Sequence, residues 1–173
     1  MILSDDKASR SQDLALHSGG MARILIIEAP YYADITNELV GGALAVLDKT
    51  GTPYDRVAVP GALEIPQAFR LAVGKGLFGG QGSAAKYHGL IALGCVIRGE
   101  TSHYDIVCNN ANHWLMETAI KNNIPFGNAI LTVDTAAQAL ARARGGSDGK
   151  GGDAARACLR LVWLGAHFEQ QRA

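Results

Sequence analysis

The sequence has little of what marks several large protein classes. Its three cysteines, Cys95, Cys108 and Cys158, are odd in number, widely spaced and without a CxxC pair, so neither a disulfide framework nor a structural zinc site is expected. A reducing, cytoplasmic setting is the simplest match. Neither charge is in excess: 16 Lys plus Arg balance 16 Asp plus Glu, leaving no overall field to attract nucleic acid or an anionic membrane. No hydrophobic run approaches the length of a membrane span. The first twenty residues, MILSDDKASRSQDLALHSGG, lack the continuous apolar core of a signal peptide. They read as a flexible N-terminal arm (1–21) ahead of a single domain (22–173), with Met21 as an alternative start. Also missing are GxGxxG after the first strand, GxxxxGK[ST], GxSxG and HExxH, so dinucleotide, P-loop, serine-hydrolase and zincin readings lose support.

What is present is an alternation of two hydrophobic periods. Residues 24–27 are continuously apolar, as in a strand buried on both faces, and Pro30 ends the run. Asp34 stands where an N-cap belongs, and Ile35, Leu39, Ala43 and Val46 recur at helical spacing up to Gly51. A second strand is expected around 56–59, with Pro66 in the first turn of a helix over 67–73. After a glycine-rich bend at 74–82, a third strand is expected over 90–96. The helix after it carries Val107, Ala111, Trp114 and Thr118 on one side. A fourth strand covers 129–133, and Asp134 is the expected cap of a short helix over 135–144. A glycine-rich loop spans 145–152. Asp153 then opens a last helix with Ala157, Leu161, Leu164 and Phe168 on one face. Four strands alternating with helices imply an α/β sandwich: a parallel sheet with right-handed crossovers and helices on both faces.

Ligands of open α/β sheets bind beyond the carboxyl ends of the strands, which directs attention to loops 29–34, 60–66, 94–103 and 132–135. In the third of these, Arg98, Gly99, Glu100, Thr101, Ser102 and His103 lie between a buried strand and a helix. Exposed amides at a helix start, beside hydroxyls and a glycine, suit a phosphate. His103 next to them has a side chain that can give and take protons near neutrality. The bland alternatives are that His103 caps the helix or bonds within the core, that Arg98 is a structural fork bonded to carbonyls, and that Glu100 is a solvated charge. Glu64 sits among apolar neighbours in PGALEIP, where it can accept hydrogen bonds from substrate hydroxyls or cap its own helix. Tyr31 and Tyr32 can stack on a heteroaromatic ring or pack at a rim. Arg142 and Arg144 offer guanidinium forks to a phosphate or to solvent, and Lys150 can add charge to a site from its glycine-rich loop or merely keep that loop soluble. His113 and Glu117 lie four apart on a helix, but two potential ligands make a weak metal signal.

PGALEIP (60–66), GCVIRGETSHYD (94–105), and the C-terminal KGG (150–152) with the arginines before it resemble lumazine synthase in order and spacing, from about residue 23 to 168. That resemblance implies a three-layer α/β/α sandwich on a four-stranded parallel sheet of flavodoxin-like topology. It implies the condensation of a ribitylaminouracil with a dihydroxybutanone phosphate, giving dimethylribityllumazine, phosphate and two waters, with no cofactor and no metal. Carried over residue by residue, it makes Tyr31 the ring that stacks on the pyrimidine and has Ala62, Leu63 and Glu64 line the ribityl chain. Cys95, Val96 and Ile97 meet the pyrimidine edge, Glu100 and Thr101 offer amides to the phosphate, His103 is the proton shuttle and Arg142 the phosphate clamp, with Arg144 two residues on as the alternative clamp. Cys95 stands where a threonine is frequent, Pro30 where a basic residue is, and Asn128 where an aromatic residue often reaches a neighbouring subunit's site. The resemblance further implies pentamers with sites between subunits, in some members packed into a shell, and a functional link to riboflavin synthase. A non-catalytic lumazine or flavin carrier, or a shell scaffold, is the alternative on the same fold.

Overall fold

The computed structural model describes residues 22–80 and 83–171; the arm at 1–21 lies outside them. β1 (Ile24–Glu28) is buried along its whole length, as its unbroken apolar run requires. It is followed by α1 (Ala33–Lys49), β2 (Tyr54–Ala58) and α2 (Glu64–Gly74). Then come β3 (Gly89–Ile97), α3 (His103–Lys121), β4 (Phe126–Val133), α4 (Ala136–Ala143), a 3₁₀ turn (Gly146–Asp148) and α5 (Lys150–Gln170). The strands pair in parallel in the order β2-β1-β3-β4, the flavodoxin-like arrangement, with its crossing point between β1 and β3.

Because side chains alternate along a strand, β3 feeds two cores. Ile91, Leu93 and Cys95 join residues of α1, α4 and α5 on one face. Leu90 and Ala92 join residues of α2 and α3 on the other. Each fully buried Ile or Leu there contributes about 1.5–3 kcal/mol relative to exposure, and the result is the three-layer sandwich.

Several boundaries differ from the sequence expectation for identifiable reasons. Tyr32, not Asp34, is the N-cap of α1; Thr36 ties that turn down by donating its Oγ1 hydrogen to the Ala29 carbonyl at 3.2 Å, and Asp34 sits inside the first turn, where its charge suits the helix dipole. Thr135, not Asp134, caps α4, its Oγ1 accepting from the Gln138 amide at 3.2 Å. The Asp134 carboxylate is engaged by Arg98 instead. α5 starts three residues before Asp153, at Lys150. Gly151 and Gly152, which read as loop, are helical and buried, because a Cβ at Gly151 would collide with the Leu39 carbonyl of α1.

The buried stripes also shift. On α3, Val107, Ala111 and Thr118 are buried with Leu115, whereas Trp114 is half exposed. On α5 the core face is Ala154, Ala155, Cys158, Leu159 and Val162. The expected stripe points outward: Ala157 is exposed, as are Leu161 (44%) and Phe168 (57%).

Candidate active site

Beyond the carboxyl ends of β1 and β3 the loops enclose a cavity of about 370 Å³. β1 delivers Tyr31 and Tyr32. The turn after β2 brings Gly61, Ala62, Leu63 and Glu64, the end of β3 brings Cys95, Val96 and Ile97, and the α3 entry adds Gly99, Thr101, His103, Tyr104 and Val107. Nine of the twelve residues that the resemblance assigns to the site therefore meet in one place: Tyr31, Ala62, Leu63, Glu64, Cys95, Val96, Ile97, Thr101 and His103, with Tyr32 and Gly99 beside them. Glu100, Asn128 and Arg142 are not among the residues lining it. Tyr104 and Val107 also line it without a role assigned from the sequence: Tyr104 lies inside GCVIRGETSHYD, directly after His103, and Val107 is expected from spacing only as one side of the helix.

The walls differ in character. Tyr31 is 72% exposed and stands edge-on to Tyr32, ring centroids 5.0 Å apart, leaving a free aromatic face at the mouth. Burial, then the neighbouring Tyr31 and Cys95, push the Tyr32 phenol above its usual range. Cys95 is buried, and burial with a smaller contribution from Cys108 raises its thiol to about 11. It is a neutral wall group, not a nucleophile. Glu64 is the first residue of α2, whose N-cap, Leu63, offers no side-chain cap. Its carboxylate folds over Gly61, where a Cβ would come within 3.0 Å of Oε2, and it makes no hydrogen bond to its own helix start among the described residues.

At the α3 entry, Ser102 is the N-cap and forms no side-chain cap bond. The His103 amide donates to Thr101 Oγ1 at a long 3.4 Å, and a Cβ on Gly99 would meet nothing within 4 Å. The first turn of α3 thus presents partly unsatisfied amides to open space, the situation in which a helix start takes an anion. The His103 imidazole is exposed beside them. Two helix starts, α2 and α3, converge on the cavity.

Outside it, Arg142 donates to the Gln138 carbonyl at 3.0 Å from an exposed position on α4, and Arg144 reaches Glu38 at 3.7 Å. Asn128 is bonded within its own chain: it donates to Asn112 Oδ1 at 2.6 Å and accepts from the Ile130 amide at 2.9 Å. Lys150 pairs with Asp153 at 3.0 Å. His113 and Glu117 meet at 3.3 Å on α3, and among the described residues no three His, Cys, Asp or Glu side chains come together as a metal would need. No helix of the described residues is long and apolar enough to cross a membrane.

The sequence profile of the 6,7-dimethyl-8-ribityllumazine synthases matches residues 21–165. The chain belongs to that family. Lumazine synthases of this similarity include that of Beijerinckia indica, 48% identical over 164 residues, covering 95% of this chain and 87% of the relative. Those of Methylobacterium radiotolerans (46% identical, 92% and 90% covered) and Agrobacterium fabrum (46%, 82% and 93%) align over similar spans. The matched span, residues 21–165, includes all the cavity walls.

Proposed function

We propose that this chain condenses 5-amino-6-(D-ribitylamino)uracil with 3,4-dihydroxy-2-butanone 4-phosphate to 6,7-dimethyl-8-ribityllumazine, releasing inorganic phosphate and two waters. The observation that carries this reading is the single cavity that joins an exposed aromatic face, a carboxylate at one helix start, and a histidine beside the open amides of another. Tyr31 stacks on the pyrimidine, Ala62 and Leu63 flank the ribityl chain, and Glu64 accepts bonds from its hydroxyls. Cys95, Val96 and Ile97 meet the pyrimidine edge. The phosphate sits at the start of α3 on the amides of Glu100 and Thr101.

The chemistry asks for positioned proton transfers. The uracil's amine attacks the ketone and water leaves to give an imine. A proton is then lost from carbon as phosphate departs, and the ribityl-bearing nitrogen closes the ring with loss of a second water. His103 carries protons between these steps, next to the departing phosphate. Arg142 and Asn128 serve the site from a neighbouring copy, in a pentamer or a multiple of pentamers, with Arg142 clamping the phosphate from across the boundary. The setting is cytoplasmic and the product goes on to riboflavin synthase.

The deciding experiment gives purified full-length protein both substrates at saturation and follows inorganic phosphate and lumazine fluorescence together. Stoichiometric release of both is expected. Ligand binding without turnover would replace the synthase reading with a carrier.

A further inference from the structure

Arg98 opens the loop that ends at His103, and its side chain turns back to the far end of the same loop. Its Nη1 donates to Asp105 at 3.4 Å. Its guanidinium carbon lies 4.0 Å above the ring centre of Tyr104, a cation–π geometry. Its Nε donates to Asp134 at 3.1 Å, immediately beyond β4, while its own amide donates to the Val133 carbonyl at 2.9 Å. Tyr104 has Cys108 and Thr132 as its polar neighbours. One residue thus ties together the end of β3, the end of β4 and the first turn of α3.

From this geometry we infer that Arg98 is a positioning residue: a clasp that closes the segment 98–105 into a ring and holds the α3-entry amides and His103 in register, with Tyr104 as the platform beneath it. The inference rests on the reading of that loop as the phosphate and proton-transfer side of the cavity. Gly99 to Ser102 have few anchors of their own. Among the described residues the one side-chain bond within them is the long one from the His103 amide to Thr101, and residues 99–103 are exposed, with open space where a Cβ on Gly99 would stand. The order of the loop must therefore come from its two ends, and Arg98 joins those ends. A planar fork can serve Asp105 and Asp134 while stacking on a ring, and an ammonium cannot. The clasp reaches none of Tyr31, Ala62, Leu63 or Glu64, which belong to other loops.

That separation supplies the test. In Arg98→Lys the charge remains and the fork is lost. The expected result is a rise of about tenfold or more in KM for the butanone phosphate and in Ki for inorganic phosphate, and a kcat lowered by a comparable factor. KM for the uracil substrate and the thermal midpoint should stay near the parent values. Asp134→Asn, which removes one arm of the clasp at an exposed site, should move the same constants in the same direction by less. Unchanged phosphate constants in Arg98→Lys would overturn the inference. So would equal losses for both substrates accompanied by a fallen midpoint, because Arg98 would then support the domain and not the loop; if Arg98→Lys fails to fold, Asp134→Asn decides the matter by the same split. Inorganic phosphate binding, followed by titration, tests the clasp even if the parent protein shows no turnover, which would refute the proposed function and leave the clasp to be judged on anion affinity.

Discussion

His103 begins α3 with its imidazole exposed and its amide turned to Thr101, so its chemistry is available without any local rearrangement. His103→Ala is expected to keep both substrates bound while lowering kcat by about 10²-fold or more, the usual scale for a lost general acid/base; a kcat equal to the parent's would remove it from the proton path. A different histidine contributes to the decline of stability just below neutral pH. His88 is 8% exposed and accepts the Arg23 amide on Nδ1 at 3.1 Å, while its own amide donates to the Arg23 carbonyl at 2.8 Å. Burial lowers its pKa below the ordinary 6.5, and the Arg23 amide donating to Nδ1 likewise suits the neutral ring. Above pH 6.5 the ring is neutral in both the folded and unfolded chain and its contribution is complete. As the pH falls below 6.5 the unfolded chain takes up the proton first, so stability declines until the folded pKa is passed. Thermal midpoints measured between pH 7.5 and 5 should fall in this window, and His88→Gln should flatten the decline; an identical slope in the variant would acquit His88.

At the scale of elements, close approach of helices to the sheet and to one another depends on small residues. Gly127 on β4 has no room for a Cβ, which would run into the Ala154 carbonyl of α5. Gly151 stands in the same relation to Leu39. Gly127→Ala is expected to destabilise the fold by about 1–3 kcal/mol, the range for forced overpacking, seen as a lower urea midpoint. Wild-type stability in that variant would mean that α5 can slide outward at no cost. These contacts also explain why residues 149–152 look like a loop in sequence and form the start of a helix. A glycine pair is ambiguous locally, and only the neighbouring α1 backbone decides its use. The same holds for the buried face of α5. Both the 154, 155, 158, 159, 162 stripe and the 157, 161, 164, 168 stripe have helical spacing, and the smaller side chains won because they let α5 lie close to β3, β4 and α1.

Across the whole molecule, the unused stripe on α5, together with Ile106, Trp114, Met116 and Ile120 on α3, leaves large apolar side chains in solvent on a single chain, more than scattered exposure requires. With Arg142 and Asn128 outside the cavity walls, the proposed assembly makes a direct prediction. Sedimentation should give five times the 18.2 kDa chain mass or a multiple of it, and a mass of one chain under conditions of full activity would refute the need for a neighbour.

Much of this architecture is written locally. Unbroken apolar runs mark buried strands, helical spacing marks α1, and turn residues after strands mark the loops that carry PGALEIP and GCVIRGETSHYD, because hydrophobic period and turn chemistry act over a few residues. Those local signals determined the layered α/β fold and the loops that form the cavity, while the resemblance to lumazine synthase supplied nine of its side chains. Tertiary structure alone decided which stripe of α3 and α5 is buried, which side chain caps α4, that Val107 joins the cavity, and that Arg98 bonds to Asp105 and Asp134 where carbonyls were the alternative. Each of those depends on a partner brought close by the sheet from another part of the chain, and the spacing of residues along one element carries no record of what will be packed against it.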